Sequence, residues 1–188
     1  MALRALIPRI ALAALVVLVS GGPTAAELIF HPPATRAEQA LDAVLHRTDA
    51  DPDPLDNLLA GRDRAAFRPK IDYRTMLTAA LLEAITAAER QAVRRTCGGR
   101  YRSGEVCGLD FVPITCAQDS GSSYLYRTDQ ATPAMVVNAR RWSGTENPAN
   151  EDDFYRLVRY HGSWLLDGIR CASGIGFNMA APKLQPAQ

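Results

Sequence analysis

The sequence predicts an α+β fold: N-terminal helices packed on a curved antiparallel sheet of about four strands that ends in a C-terminal hairpin. Three observations carry the prediction. Apolar residues recur at helical spacing up to about Cys97, the pattern turns to period two beyond it, and Phe154 to Cys171 reads as one long hairpin closed by His161-Gly162. Helices first and an antiparallel sheet afterwards is the α+β arrangement.

Residues 1–26 carry Arg4 and Arg9, an apolar run from Ile10 to Val19, and the small residues Thr24, Ala25 and Ala26. That is the layout of a secretory signal peptide cleaved after Ala26. The run is shorter than the roughly 20 residues a membrane span needs, so no span is expected after cleavage; an uncleaved anchor is the alternative. The expected location is periplasmic or secreted. The chain holds 21 Lys and Arg against 20 acids, and without Arg4 and Arg9 the bases number 19. Nucleic-acid binding, which calls for a basic excess, is therefore not expected. Residues 27–34 read as an extended linker, 35–173 as a single domain, and 174–188, with Pro182 and Pro186, as a loose tail.

Within the domain, Thr35-x-x-Glu38 is a capping box ahead of Ala40, Leu41, Val44 and Leu45, which share one helical face. Asp49 to Asp53 breaks that helix. Asp53 and Pro54 suit the N-cap and first position of a short helix through Leu55, Leu58 and Leu59 that stops at Gly61. Asp72 can cap the next helix, where Leu77, Leu81, Ala84 and Ile85 recur. A second box, Thr86-x-x-Glu89, predicts that 73–96 forms two helices with a bend.

Past Cys97, GLDFVPITCAQDSGSS reads as an irregular loop, and strands are expected at 123–128, 134–142 and 154–170, the last counted as a hairpin. In the turn, Gly162 takes positive φ without a Cβ penalty and His161 tolerates it. Counting outward places Tyr160 opposite Ser163, Val158 opposite Leu165, Leu157 opposite Leu166 and Arg156 opposite Asp167, an opposite-charge pair that supports this register. Tyr155, Leu157, Arg159, Trp164 and Leu166 then share one face, with Trp164 as its anchor; Phe154, Val158, Tyr160, Leu165 and Ile169 share the other. Arg140 and Arg141 are adjacent on a strand and point to opposite faces, so they cannot clamp one anion together.

Cys97, Cys107, Cys116 and Cys171 all lie in the exported part, and an even number there predicts two disulfides. Spacing leaves three pairings open. The favoured one joins Cys97 to Cys107, closing CGGRYRSGEVC, and Cys116 to Cys171. With no C-x-x-C pair and no nearby His, a metal site is not expected.

The order of elements, with Tyr155-Arg156-Leu157-Val158, Gly162 and Trp164-Leu165-Leu166-Asp167-Gly168-Ile169, resembles the nuclear transport factor 2-like superfamily, also called the cystatin-like cone fold. Leu109-Asp110-Phe111-Val112-Pro113-Ile114 followed by Gln118-Asp119 is similar to a family of exported bacterial proteins of unestablished function. The resemblance implies a sheet wrapped around helices, leaving a pocket. It licenses no activity, since the superfamily includes isomerases, dehydratases and noncatalytic binders.

Nothing in the sequence matches G-x-S-x-G, H-E-x-x-H or a Gly-rich phosphate loop, and no cofactor is implied. Asp110 and Asp119 are the candidates for a catalytic acid or base, although turn and cap chemistry is the ordinary role of Asp beside Pro, Ser and Gly. Tyr73, Tyr124 and Tyr126 are candidate hydrogen-bond donors, and Tyr73, Tyr124 and Trp164 candidate ligand contacts. The expected function is an exported noncatalytic domain binding a small molecule or a protein partner. A cofactor-free lyase or isomerase using a pocket Asp is the alternative. A masking protein that occupies a hostile enzyme's cleft is a third class, with no sequence feature favouring it.

Overall fold

The computed structural model describes residues 30–59, 68–102, 104–118, 123–131, 134–142 and 152–179. The segment read as a signal peptide, the helix stop expected at Gly61, Asp119 and residues 180–188 lie outside them. Among the described residues, helices precede a five-stranded antiparallel sheet, as the α+β prediction requires.

Helix α1 (Arg36–Asp49) starts at the predicted capping box: the Thr35 side chain accepts from the Glu38 amide, and the Glu38 carboxylate accepts from the Thr35 amide at 2.8 Å. Helix α2 (Pro54–Leu58) has Asp53 as N-cap and Pro54 first, but the Asp53 side chain makes no cap bond. Asp51 accepts the Asp53 amide instead, at 2.9 Å.

Asp72 caps a short 3-10 turn, Tyr73–Thr75, and the long helix α3 (Ala79–Cys97) takes Thr78 as its N-cap. It runs unbroken through Thr86, where a second helix was expected to start. Thr86, read as a second cap, turns its hydroxyl back to the Leu82 carbonyl inside the helix, and Glu89 reaches away to Tyr101 and the Leu109 amide.

The sheet is a meander of β1 (Ser123–Ala131), β2 (Met135–Trp142), β3 (Asp153–Tyr160), β4 (Ser163–Arg170) and the two-residue β5 (Gly176–Phe177). His161 and Gly162 both have positive φ, as the hairpin turn demands. The register holds from Tyr160↔Ser163 to Leu157↔Leu166, and then a bulge puts Gly168, not Asp167, opposite Arg156. The extra residue moves Ile169 onto the core face opposite Tyr155, correcting the predicted face. Asp167 still meets Arg156, at 2.8 Å.

Trp164 is partly buried at the core's margin, and Tyr126 and Tyr155 are the large aromatics fully enclosed. The sheet also continues past Gly174, where the loose tail was expected: Phe177 pairs with Ile169 and is buried. Cys97–Cys107 and Cys116–Cys171 are both joined, at Cα separations of 5.7 and 5.5 Å, in the favoured pairing. No helix among the described residues is long and apolar enough to cross a membrane.

Candidate functional site

The functional geometry grows from the way α1 meets β1. Beside the buried Leu41 and Leu45, α1 carries Glu38, Asp42 and Asp49 on the side facing the sheet. Alternation along β1 turns Tyr124, Tyr126 and Thr128 toward the helix. A ladder results in which each hydroxyl donates to a carboxylate: Thr128 to Glu38 at 2.7 Å, Tyr126 to Asp42 at 2.7 Å and Tyr124 to Asp49 at 2.8 Å. Two residues beyond the helix, Asp51 accepts from Tyr73 at 3.0 Å, and Asn57 donates to the same carboxylate.

Burial sets the chemistry of these groups. It raises the hydroxyl pKa values of Tyr73, Tyr124 and Tyr126 above the ordinary phenolic range, and the adjacent carboxylate charges push the same way. Burial would also raise Glu38, but hydrogen bonds from Thr35, Thr128 and Ala34, with His31 nearby, outweigh it and hold that carboxyl below its usual value. These tyrosines are therefore neutral donors at physiological pH and poor proton-transfer groups.

At the C-terminal end of α1 the ladder opens into a polar cleft of about 270 Å³. Thr48, Asp49, Asp51 and Pro54 form one wall; Val112, Thr115 and Gln118 form the other. The second wall is held by the Cys116–Cys171 bond, by Tyr155 donating to the Ile114 carbonyl at 3.0 Å, and by Arg141 donating to the Thr115 carbonyl. Asp51 is saturated by the Asp53 amide, Asn57 and Tyr73. Asp49 differs: Oδ2 accepts from Tyr124, and Oδ1 has no partner among the described residues.

The sequence candidates are distributed around this cleft unequally. Tyr124 and Tyr73 orient its two carboxylates, and the Tyr73 ring lines a neighbouring groove bounded by Leu58, Ile71 and Leu82. Asp110 is exposed and meets the rim through Gln118, at 3.5 Å. Trp164 pairs with Arg159 near the hairpin turn and does not line the cleft. Arg140 and Arg141 part to opposite sides, the first to Asp152 and the second to Thr115. Asp49 and Asp51 escaped the sequence reading as site residues because they looked like a helix break. The signal that could have found them is the helical spacing of acids at 38, 42 and 49 set against hydroxyls alternating at 124, 126 and 128.

Two cysteine pairs have a carboxylate close by, Glu105 and Asp153. Both pairs are disulfides, so they offer no thiolate to a metal. Neither a protein-family model, nor a curated protein, nor a solved structure matches this chain.

Proposed function

We propose that this chain is an exported, noncatalytic binding domain of the nuclear transport factor 2-like kind, periplasmic or secreted, whose recognition site is the polar cleft at the end of α1. The ligand is a small polar molecule that presents an amino group to Asp49. One observation carries this reading: Asp49 lines the cleft and is fixed by Tyr124 through one oxygen, while its other oxygen has no partner among the described residues. The negative end of the α1 dipole lies at the same place and favours a cation. Helices leading into an antiparallel meander support the superfamily, and the two disulfides support an oxidising compartment.

A noncatalytic role is supported by the commitment of the tyrosine hydroxyls to carboxylates, which leaves them poorly suited to exchange protons with a substrate. Calorimetric titration of the mature chain with a panel of primary amines, amino alcohols and neutral polyols tests the assignment. An amine that binds the parent should lose about tenfold or more in affinity with Asp49→Asn, the worth of one charge-assisted contact. Asn keeps an acceptor for Tyr124, and Asp110→Asn should bind like the parent. No binding across the panel, or equal binding by Asp49→Asn, would overturn the reading.

A further inference from the structure

A second surface lies at the far end of α3. Arg90, Arg94 and Arg95 stand on its last turns, and Arg100 and Arg102 follow in the loop closed by Cys97–Cys107; all five are exposed. Among the described residues, Arg102 alone has a carboxylate partner, Glu105 at 3.7 Å, and both side chains of that pair are more than half exposed. Glu89, the nearest acid upstream, is buried and accepts from Tyr101 and from the Leu109 amide.

The loop folds back on the helix end. A Cβ placed on Gly98 would lie 3.7 Å from the Arg102 guanidinium, and one on Gly99 would lie 3.6 Å from the Arg94 side chain, so both arginines flank the same glycine turn. Arg94 and Arg95 can be explained by the helix dipole, which favours cations in a last turn. Arg100 and Arg102 lie beyond the helix and have no such account. Beside them Val106 is 75 % exposed, more than either Tyr160 or Ile175, and its neighbour Cys107 ties it to the helix end.

We infer that this arginine-rich, disulfide-closed loop docks the protein on an anionic lipid surface, with Val106 entering the headgroup boundary. An acidic polypeptide would be matched by the arginines alone. Cations around a projecting aliphatic side chain fit an interface that is charged outside and apolar beneath. The net charge of the chain is near zero, so the patch is a local feature and not a consequence of overall basicity.

Cosedimentation of the mature chain, disulfides intact, with vesicles of phosphatidylcholine containing about one third phosphatidylglycerol tests this. The parent should sediment with these vesicles at low salt, stay free of pure phosphatidylcholine, and be released at about 1 M salt, where the Debye length falls to about 3 Å. Arg95→Gln with Arg100→Gln should lower the partition about 25-fold, roughly fivefold for each arginine near such a surface. Val106→Ser should weaken it with every charge in place. All three positions are exposed, and an unchanged thermal midpoint verifies the fold. No sedimentation of the parent with anionic vesicles, full binding by either variant, or capture by immobilised polyglutamate without vesicle binding would overturn the inference.

Discussion

Replacing Glu38 by Gln isolates the contribution of charge to the α1–β1 ladder. Its carboxylate is fully buried and accepts from the Ala34 amide at 2.9 Å, the Thr35 amide at 2.8 Å and the Thr128 hydroxyl at 2.7 Å. In the variant one amide oxygen can still receive the two main-chain donors, and the Thr128 hydroxyl can rotate to accept from the new NH2 group. The bonds survive in number and lose their charge assistance, so the cost at neutral pH should be about 2 kcal/mol, against about 4 kcal/mol for Glu38→Ala, which leaves the donors without their partner. The pH dependence follows from the lowered folded-state pKa. A carboxyl whose pKa is depressed by folding contributes stability above its unfolded value, about 4.3, and loses it as pH falls through the folded value. Parent and Glu38→Gln should therefore differ most at neutral pH and converge in acid. Urea unfolding followed by tryptophan fluorescence from neutral to acid pH measures both effects. A variant within about 0.3 kcal/mol of the parent at pH 7, or a gap that does not narrow in acid, would refute the reasoning.

The tyrosine donors give the opposite pH sign. Their pKa values are raised by burial, so their contribution is complete below about pH 10 and lost as pH climbs past it. Tyrosinate absorbance should thus report Tyr73 and Tyr126 ionising together with unfolding, and Tyr126→Phe should soften the alkaline loss of stability; stepwise ionisation of the folded chain would contradict this. The two disulfides close loops with sequence separations of 55 and 10, for which chain entropy assigns about 4 and about 2.7 kcal/mol. Replacing Cys116 and Cys171 by Ala should lower the denaturation midpoint more than replacing Cys97 and Cys107, and the reverse order would count against that estimate. Phe177 is buried against the core and its ring meets that of Phe111 at a tilt of 43°, with centroids 6.3 Å apart, so Phe177→Ala should cost about 3 to 4 kcal/mol in chemical unfolding. A loss below about 1 kcal/mol would show the last strand to be dispensable.

The elements that could be read from residues alone are those whose signals are local. The His161-Gly162 turn and its flanking alternation determine the β3–β4 register, and Thr35 with Glu38 announces the start of α1. The bulge at Asp167 left no trace, because Arg156 pairs with Asp167 whether or not the strand carries an extra residue. Thr86 and Glu89 imitate a helix start, yet their side chains are drawn elsewhere by a back-bond and by the Tyr101 loop. Phe177 sits in a Gly- and Pro-containing tail, and its burial is decided by the edge of β4, which nothing in its own segment announces. The cleft was least legible. Asp49 and Tyr124 are 75 residues apart, and their meeting depends on how α1 is laid along β1.

Nuclear magnetic resonance of the aspartate side-chain carboxyl carbons, titrated with an amine from the binding panel, tests the cleft assignment most directly. The Asp49 signal should move in a saturable manner, with smaller changes at Asp51 and none at Asp42, which lies one ladder step away and bonds Tyr126. A static Asp49 signal, or a saturable shift centred on Asp110 instead, would contradict the account and move attention to the exposed loop.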